Sequence, residues 1–247
     1  MLNRFSRTEL LLGEENMSKL AQSKIAIFGI GGVGSYVAEG LARCGIGEFI
    51  LIDSDDISLT NINRQIHALE TTIGQKKTLM MKERILAIIT QAKVTTIEKL
   101  YTPESNFFNW DDDYTYIVDA VDDVKAKINL IVNANKHNLP IMSSMGTANK
   151  LDPQKFVITD IYKTHTCPLA RIMRKTLKQQ GIKKLKVLYS TEEPFTNYTV
   201  NFKENTSKDN SPASTRKQPL GSISFVPPIA GLMIAGEIVK DICQINR

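Results

Sequence analysis

The sequence predicts an α/β fold with a doubly wound, mostly parallel, Rossmann-like sheet. Short apolar runs alternate with amphipathic segments through the first 150 residues, and a glycine-rich turn directly follows the first run. Strands that alternate with helices are joined by crossover connections, which make the sheet parallel. With 247 residues, the chain is long enough to bury a substantial core within one elaborated domain.

The first strand–helix unit and the strand after it are very regular. Residues 24–29, KIAIFG, form a short apolar run that ends in glycine, which is typical of a buried strand. The next segment, 35–45, has apolar residues at helical spacing, and Gly45 is placed to end that helix. Residues 48–53, EFILID, predict the second strand.

The same alternation continues to residue 146. It predicts a helix over 74–90, a strand over 93–100, a strand over 114–123, a helix over 124–138 and a strand over 139–146. In such sheets, ligands bind at the carboxyl ends of the strands. Gly29, Asp53, Asp122 and Ser143 all fall at these ends.

The pattern is less regular after residue 150. Residues 225–239, FVPPIAGLMIAGEIV, contain two prolines and Glu237 and are too short to span a bilayer, so we expect a buried strand, a turn and a helix. Residues 204–219 are polar and rich in Ser and Pro, which predicts a mobile loop.

Composition indicates a soluble, cytoplasmic protein. Residues 1–16 carry charges on both sides of their one Leu run, which is not the pattern of a secretory signal. Three cysteines form no CxxC pair, which favours a reducing compartment and argues against a structural zinc site. The net charge is +5, and residues 150–220 hold fourteen Lys and Arg against six Asp and Glu. This basic half suits either a solvated face or a polyanionic partner.

Residues 29–34, GIGGVG, match the GxGxxG pattern between a strand and a helix. Glycines allow a tight turn and a close approach of the backbone to phosphate, and the helix N-terminus attracts anions. Asp53 ends the next predicted strand, where a carboxylate can accept hydrogen bonds from a ribose. These features alone fit a dinucleotide or a mononucleotide equally well.

The residues that follow favour triphosphate chemistry. They are Asp55, Asn61, Asn63, Arg64, Gln65, Lys77 and Asp122. Arg64 and Lys77 can neutralise phosphate charge, and Asp122 can hold Mg²⁺. Each has a structural alternative: Arg64 as a surface residue, Lys77 as a solvated helix residue, and Asp122 as a helix N-cap. Their joint order and spacing favour the phosphate site.

The successive motifs GIGGVGS, DSD, NINRQ, GQKK and DAVD resemble the ThiF/MoeB superfamily of ubiquitin-activating-type adenylating enzymes. Residues 61–69, 142–153, 160–174 and 225–236 resemble one branch, the tRNA threonylcarbamoyladenosine dehydratases. The resemblance covers nearly the whole chain. It implies a single adenylating domain over 1–247, with an N-terminal helical arm (1–23), an ATP-binding core (24–150) and a basic substrate-side half (151–247).

The resemblance also implies roles for individual residues. ATP phosphates are expected on the glycine turn, the ribose on Asp53, the triphosphate on Asn61, Arg64 and Lys77, and Mg²⁺ on Asp122. The expected cofactor-binding residues are therefore Gly29, Gly31, Gly32, Gly34, Asp53, Asp55, Asn61, Asn63, Arg64, Lys77 and Asp122. The expected catalytic residues are Arg64, Lys77, Asp122 and Arg7.

Arg7 is included among the catalytic residues because the enzymes that this chain resembles are homodimers. In the sulfur-carrier branch, an N-terminal arginine reaches into the neighbour's ATP site; Arg7 matches it, and Arg4 is the alternative. The chain departs from the family at Cys167, where aspartate is common before the proline. We interpret Cys167 as a tolerated substitution rather than a nucleophile.

The function implied is ATP-dependent cyclising dehydration of N6-threonylcarbamoyladenosine in tRNA, next to the anticodon, through a carboxyl-adenylate. One alternative is adenylation of the C-terminus of a ubiquitin-like sulfur carrier, and a remote one is a nicotinamide-binding oxidoreductase. A monovalent cation and a sulfur-transfer or cysteine desulfurase partner are left open by the sequence.

Residues 171–186, RIMRKTLKQQGIKKLK, hold seven Lys and Arg and no acid. Helical spacing places Ile172 and Leu177 toward the core, and Gly181 ends the helix. The residues expected to face outward and to bind tRNA phosphates are Arg171, Arg174, Lys175 and Lys178. The alternative is a solvated face that only aids solubility.

Overall fold

The protein is described here by a computed structural model that covers residues 2–195 and 220–245; the predicted loop at 204–219 lies outside these residues. One sheet has the strand order β3-β2-β1-β4-β5-β7-β6. Its strands are β1 (Lys24–Phe28), β2 (Glu48–Ile52), β3 (Lys93–Ile97), β4 (Tyr116–Asp119), β5 (Ile141–Ser144), β6 (Phe156–Asp160) and β7 (Lys186–Ser190). Only the edge strand β6 runs antiparallel to its neighbour β7. The predicted fold class is confirmed.

Helices cover both faces of this sheet. They are α1 (Ser6–Leu12), α2 (Glu14–Gln22), α3 (Gly34–Arg43), α4 (Lys77–Ile88), α5 (Val124–Lys136), α6 (Pro168–Gln179) and α7 (Val226–Ile242). In β1, Ile25 and Ile27 join a core cluster with residues of α3 and α7, whereas Ala26 and Phe28 join one with residues of α5. Both faces are therefore buried, which explains why β1 is an uninterrupted apolar run.

The expectation for residues 225–239 was wrong in one respect. They contain no strand: Phe225 is the N-cap of α7, and the other residues belong to this one helix, whose first turn includes Pro227 and Pro228. Proline is tolerated there because the first backbone N–H groups of a helix have no partner within the helix. A short apolar run cannot by itself separate a buried strand from a buried helix.

The N-terminal residues form α1 and α2. Helix α1 has no buried residue, whereas Leu20 of α2 reaches the core. Arg4 donates a hydrogen bond to the carbonyl oxygen of Ile88 at 2.5 Å, so it satisfies the C-terminal end of α4 within its own chain. None of the described helices is both long enough and apolar enough to span a membrane.

Candidate nucleotide-binding site

The glycine turn connects β1 to α3 at the carboxyl edge of the sheet. Gly29 has a φ of +87°, and a Cβ there would lie 2.6 Å from the carbonyl oxygen of Ala120. A Cβ on Gly34 would lie 1.8 Å from the carbonyl oxygen of Gly29. These two glycines are required by close packing, because no other side chain fits. The turn is thereby held tightly against the end of β4.

Asp53 follows β2 and is fixed by two backbone N–H groups. Its Oδ2 accepts from Ile30 at 2.7 Å, and its Oδ1 accepts from Asp55 at 2.9 Å. Burial raises the pKa of Asp53, and the nearby positive charge of Lys77 opposes that rise. The carboxylate is thus tied to the glycine turn, and its remaining lone pairs can accept hydrogen bonds from ribose hydroxyls.

Lys77 opens α4 and has only 6% of its surface exposed. Its Nζ lies 2.6 Å from Oδ2 of Asp55, whose side chain is 63% exposed. The lysine is therefore inside the protein while its counter-ion lies toward solvent. Such a cation is only partly compensated, and a phosphate oxygen could replace or supplement the carboxylate.

The NINRQ segment, 61–65, folds back on itself. Asn61 is buried, and its Oδ1 accepts from the backbone N–H of Ser58 at 3.1 Å. Arg64 donates through Nη1 to the Thr60 carbonyl and to Asn63 Oδ1, both at 2.9 Å. These contacts fix the position of the Arg64 guanidinium beside the glycine turn, where a Cβ on Gly32 would approach its side chain.

Asp122 and Asp123 follow β4 and have different roles. Asp123, not Asp122, caps α5, since its carboxylate accepts from the backbone N–H of Ala126 at 2.8 Å. The N-cap alternative for Asp122 is therefore wrong. Asp122 is exposed and lines the cavity described next.

A cavity of about 470 Å³ collects these features. Nine of the predicted residues line it, namely Gly29, Gly31, Gly32, Asp53, Asp55, Asn61, Arg64, Lys77 and Asp122. Gly34, Asn63 and Arg7 are not in the lining. Gly34 acts through packing, and Asn63 donates to the Ser222 carbonyl oxygen at 2.9 Å. The exposed Arg7 lies on α1.

The lining also contains Gln65, which the sequence placed near the phosphates without an individual role, and two residues for which no role was predicted, Lys99 and Tyr101. Gln65 is buried, and its Oε1 has no hydrogen-bond partner in the described part of the chain. It stands inside the NINRQ motif, which was a usable signal. Lys99 and Tyr101 follow β3 and form another part of the wall. Their position at a strand end was the only indication available from the sequence.

A buried ion pair supports the strand ends beneath the cavity. Lys127 of α5 donates to Asp119 Oδ1 at 3.1 Å and to the Val121 carbonyl at 3.0 Å, and both side chains are almost fully buried. Ser143 donates to the same carboxylate. The short loop that carries Asp122 is therefore held at its preceding residue. Ser143 is engaged in this way, Ser144 donates to the Met145 carbonyl oxygen at 3.1 Å, and neither serine lines the cavity.

The donor set fits a magnesium ion held partly by phosphate. The described residues contain no cluster of three or more His, Cys, Asp or Glu side chains that could hold a metal. Mg²⁺ commonly uses one or two carboxylates and completes its shell with water and substrate phosphates. Asp122 at the cavity rim meets that requirement.

Another cavity, of about 620 Å³, lies at the opposite edge of the sheet. It is lined by the first residues of β4, β5 and β7, including Tyr116, Ile141 and Lys186. None of the predicted site residues lines it. Although it is larger, its lining contains no glycine among the described residues and therefore no turn like that of the first cavity.

Helix α6 departs from the prediction by one residue. Ile172 is 50% exposed, and the buried apolar residues of α6 are Ala170, Met173 and Leu177. Arg174 is not a free outward cation, because it donates to the Thr164 carbonyl at 2.9 Å. Arg171, Lys175 and Lys178 are exposed as expected, and Lys163 is exposed nearby in sequence.

Comparisons with known proteins agree with this geometry. A model of the ThiF family matches residues 5–247. The tRNA threonylcarbamoyladenosine dehydratase of Bacillus subtilis (strain 168) is 42% identical over 247 residues, which cover 99% of this chain and 96% of that protein. The dehydratase of Escherichia coli (strain K12) is 41% identical over 175 residues, or 71% of this chain and 65% of that protein.

Solved structures give the same result. Crystal structures of E. coli tRNA N6-threonylcarbamoyladenosine dehydratase, TcdA, in complex with AMP and with ATP are both 31% identical to this chain. Each covers 98% of this chain, which covers 94% of theirs, and the TM-scores are 0.83 and 0.82.

Proposed function

The chain belongs to the ThiF family, and we propose that it catalyses the ATP-dependent cyclising dehydration of N6-threonylcarbamoyladenosine in tRNA. The observation that carries the proposal is one cavity that joins the glycine turn, Asp53, Arg64, Lys77 and Asp122. Its residues suit a nucleoside triphosphate, and the chain is 42% identical to a dehydratase over 99% of its length.

The proposed reaction has two steps. The carboxylate of the threonylcarbamoyl group attacks the α-phosphorus of ATP, which forms an acyl-adenylate and releases pyrophosphate. The ureido group of the same side chain then attacks the activated carbonyl, which closes a ring and expels AMP. The RNA loses one water in total. Because the second nucleophile belongs to the same side chain, proximity supplies much of this step and no cysteine is required.

The chain's own residues stabilise charge on the triphosphate. Arg64 is fixed by two hydrogen bonds, and Lys77 is buried, so neither needs to reorganise when charge develops. Asp122 would hold Mg²⁺, which screens the charge of the phosphates when bound. A monovalent cation would be a further cofactor. Activity that is lost when potassium and sodium are removed from the assay would show that the enzyme needs one.

Arg7 would act from a second copy of the chain. It is exposed on α1 and lies outside the lining of its own cavity, whereas Arg4 is engaged with Ile88. If each site of the homodimer contains Arg7 from the other subunit, a mixture of two inactive variants should be active. Inactive Arg7→Ala and inactive Asp122→Ala proteins should regain activity when mixed, because one hybrid site is intact. If the mixed dimers recover no activity, the assignment of Arg7 to the partner's site is wrong.

The tRNA would rest partly on the exposed cations of α6, Arg171, Lys175 and Lys178. Phosphate contacts give salt-dependent affinity with little reading of sequence, which suits an enzyme that finds its base by the modification it carries. We also propose that the modified adenosine lies next to the anticodon, that the protein is cytoplasmic, and that a sulfur-transfer protein or cysteine desulfurase is its partner.

A pyrophosphate-release assay tests the proposal. The purified chain should release pyrophosphate from ATP with tRNA that carries threonylcarbamoyladenosine, and not with the same tRNA lacking that modification. Mass spectrometry of the digested tRNA should show the loss of one water. Release that requires a ubiquitin-like carrier protein instead of tRNA would establish the alternative. Reduction or oxidation of a nicotinamide cofactor would establish the remote one.

A further inference from the structure

One wall of the nucleotide cavity is held by polar contacts that no catalytic residue makes. The stretch after β5, residues 147–152, begins with Thr147 and Ala148, which line the cavity. Glu192, just after β7, accepts the backbone N–H groups of Leu151 and Asp152, each at 3.0 Å. Its carboxylate thus satisfies two consecutive backbone donors, as an anion does at a helix N-terminus.

Lys150 also links residues 147–152 to Glu192, but here the side chain comes from the first stretch and the backbone acceptor from the second. Its ammonium group donates to the backbone carbonyl oxygen of Glu192, and only 5% of the residue is exposed. Burial lowers the pKa of Lys150. Glu192, which is half-buried, is therefore bound to residues 150–152 both through its backbone carbonyl and through its side chain.

Asn149 extends this connection to the chain before α7. Its backbone N–H donates to the Gly221 carbonyl at 2.8 Å, and its Oδ1 accepts from the Gly221 N–H at 2.7 Å. Its carbonyl oxygen accepts from Phe195 at 2.7 Å. Asn149 has a φ of +54°, a conformation that asparagine adopts more readily than most residues. One residue thus joins the chain after β7 to the chain before α7.

The residues held in this way form a distinct part of the cavity wall. Leu220 and Ser222 flank Gly221 and line the cavity, as do Thr147 and Ala148. Asn63 of the NINRQ segment donates to the Ser222 carbonyl, so this wall is also attached to the phosphate-binding side.

We propose that Glu192 is a positioning residue that, through residues 150–152 and Asn149, fixes the wall on which the substrate carboxylate is aligned with ATP. This inference rests on the proposed function for the identity of the substrate. Displacement of a reacting group by about 1 Å can cost about 100-fold in rate. Loss of the Glu192 contacts should therefore lower kcat while ATP binding, made by other residues, is retained.

The test compares Glu192→Gln with Glu193→Gln, since the second removes the same charge from the exposed neighbouring residue. Glu192→Gln should lower kcat for modified tRNA about 10- to 100-fold with KM for ATP within about twofold of the parent. Glu193→Gln should behave as the parent. Hydrogen exchange should be faster at the amides of Leu151 and Asp152 in Glu192→Gln only.

Asn149 supplies an independent pair. Asn149→Asp keeps an acceptor for Gly221 and tolerates the positive φ, so it should retain most activity. Asn149→Gly keeps the conformation but loses the acceptor, so it should lower kcat and speed exchange at Gly221. This pair tests the wall independently of Glu192, and if Glu192→Gln fails to fold, equal kcat in the two Asn149 variants overturns the proposal that the wall aligns the substrate.

Each outcome separates the two proposals. If the parent protein releases no pyrophosphate with modified tRNA, the proposed function is overturned. Hydrogen exchange at the Leu151 and Asp152 amides then still tests whether Glu192 holds this wall. Equal exchange and equal kcat in Glu192→Gln and Glu193→Gln overturn the positioning role while leaving the proposed function intact.

Discussion

The nucleotide cavity and the exposed face of α6 both gather positive charge, but they hold it differently. Lys77 in the cavity is 6% exposed, and its Nζ lies 2.6 Å from Asp55. Arg171, Lys175 and Lys178 on α6 are exposed, and residues 171–186 contain no acid. A preorganised, buried cation acts strongly at short range, whereas exposed cations attract a polyanion over a distance that salt screens. The first arrangement suits phosphate chemistry and the second suits RNA binding.

The largest effect should come from the cavity. Arg64→Ala and Asp122→Ala should each lower turnover by about 100-fold or more, because each removes fixed charge at the triphosphate. Asp123→Asn is the matched control, since asparagine also caps α5 and the variant loses the same charge one residue away. Circular dichroism should show all three folded. Near-normal turnover in folded Asp122→Ala would contradict its assignment to the metal.

The cavity should also be intolerant of small changes in shape. Gly34→Ala should destabilise the fold by about 3 kcal/mol or more, because its Cβ would lie 1.8 Å from the Gly29 carbonyl oxygen. Gly236→Ala in α7 meets nothing within 4 Å and should be neutral or stabilising by up to about 1 kcal/mol. Chemical denaturation measures both. Equal stability of the two variants would show that the turn relaxes without cost.

The α6 face should respond more weakly and in proportion to salt. Reversal of Arg171, Lys175 and Lys178 to glutamate should weaken tRNA binding about 10- to 100-fold at low salt and flatten its salt dependence. ATP binding should not change. Titrations at several salt concentrations measure this, and ATP titration serves as the internal control.

Two matched single variants test whether the tRNA-binding surface lies on α6. Lys178 and Lys136 are exposed lysines in the last turns of α6 and α5. Lys178→Glu should weaken tRNA binding more than Lys136→Glu does. Equal affinity across salt for the triple variant and the parent would mean that the face only aids solubility.

The smallest effect concerns the pH dependence of stability that comes from the buried His67. Burial, with the positive charges of Lys77 and Arg84, lowers the pKa of His67 to about 4. Between about pH 6.5 and 4, the unfolded chain therefore binds a proton that the folded chain does not, so stability falls as pH falls through this window. The loss at pH 5 should be about 1 to 2 kcal/mol.

His67→Gln should flatten this dependence, and His165→Gln, which changes an exposed histidine, should not. Melting curves at pH 7 and pH 5 measure the difference between them. The same slope in both variants would assign the acid sensitivity to other groups.

The regular elements could be predicted because local patterns are sufficient for them. The apolar run at 24–28 is bounded by Gly29, whose positive φ ends the strand, and Gly45, with a φ of +93°, follows α3 as expected. Which residues of α6 face the core could not be predicted from the sequence. Ile172 and Met173 are adjacent and both apolar, so only the packing of α6 in its core cluster selects Met173.

The order of amino acids alone is sufficient to predict the fold class, the glycine turn and the basic composition of the second half. Each depends on residue type and short spacing, which a chain carries before it folds. The tertiary structure decided which polar groups meet. Asp123 rather than Asp122 caps α5, Arg174 turns toward Thr164, and Glu192 reaches Leu151 across 41 residues. The last of these pairings follows from the strand order, which places β7 beside β5, and local propensity carries no information about that order.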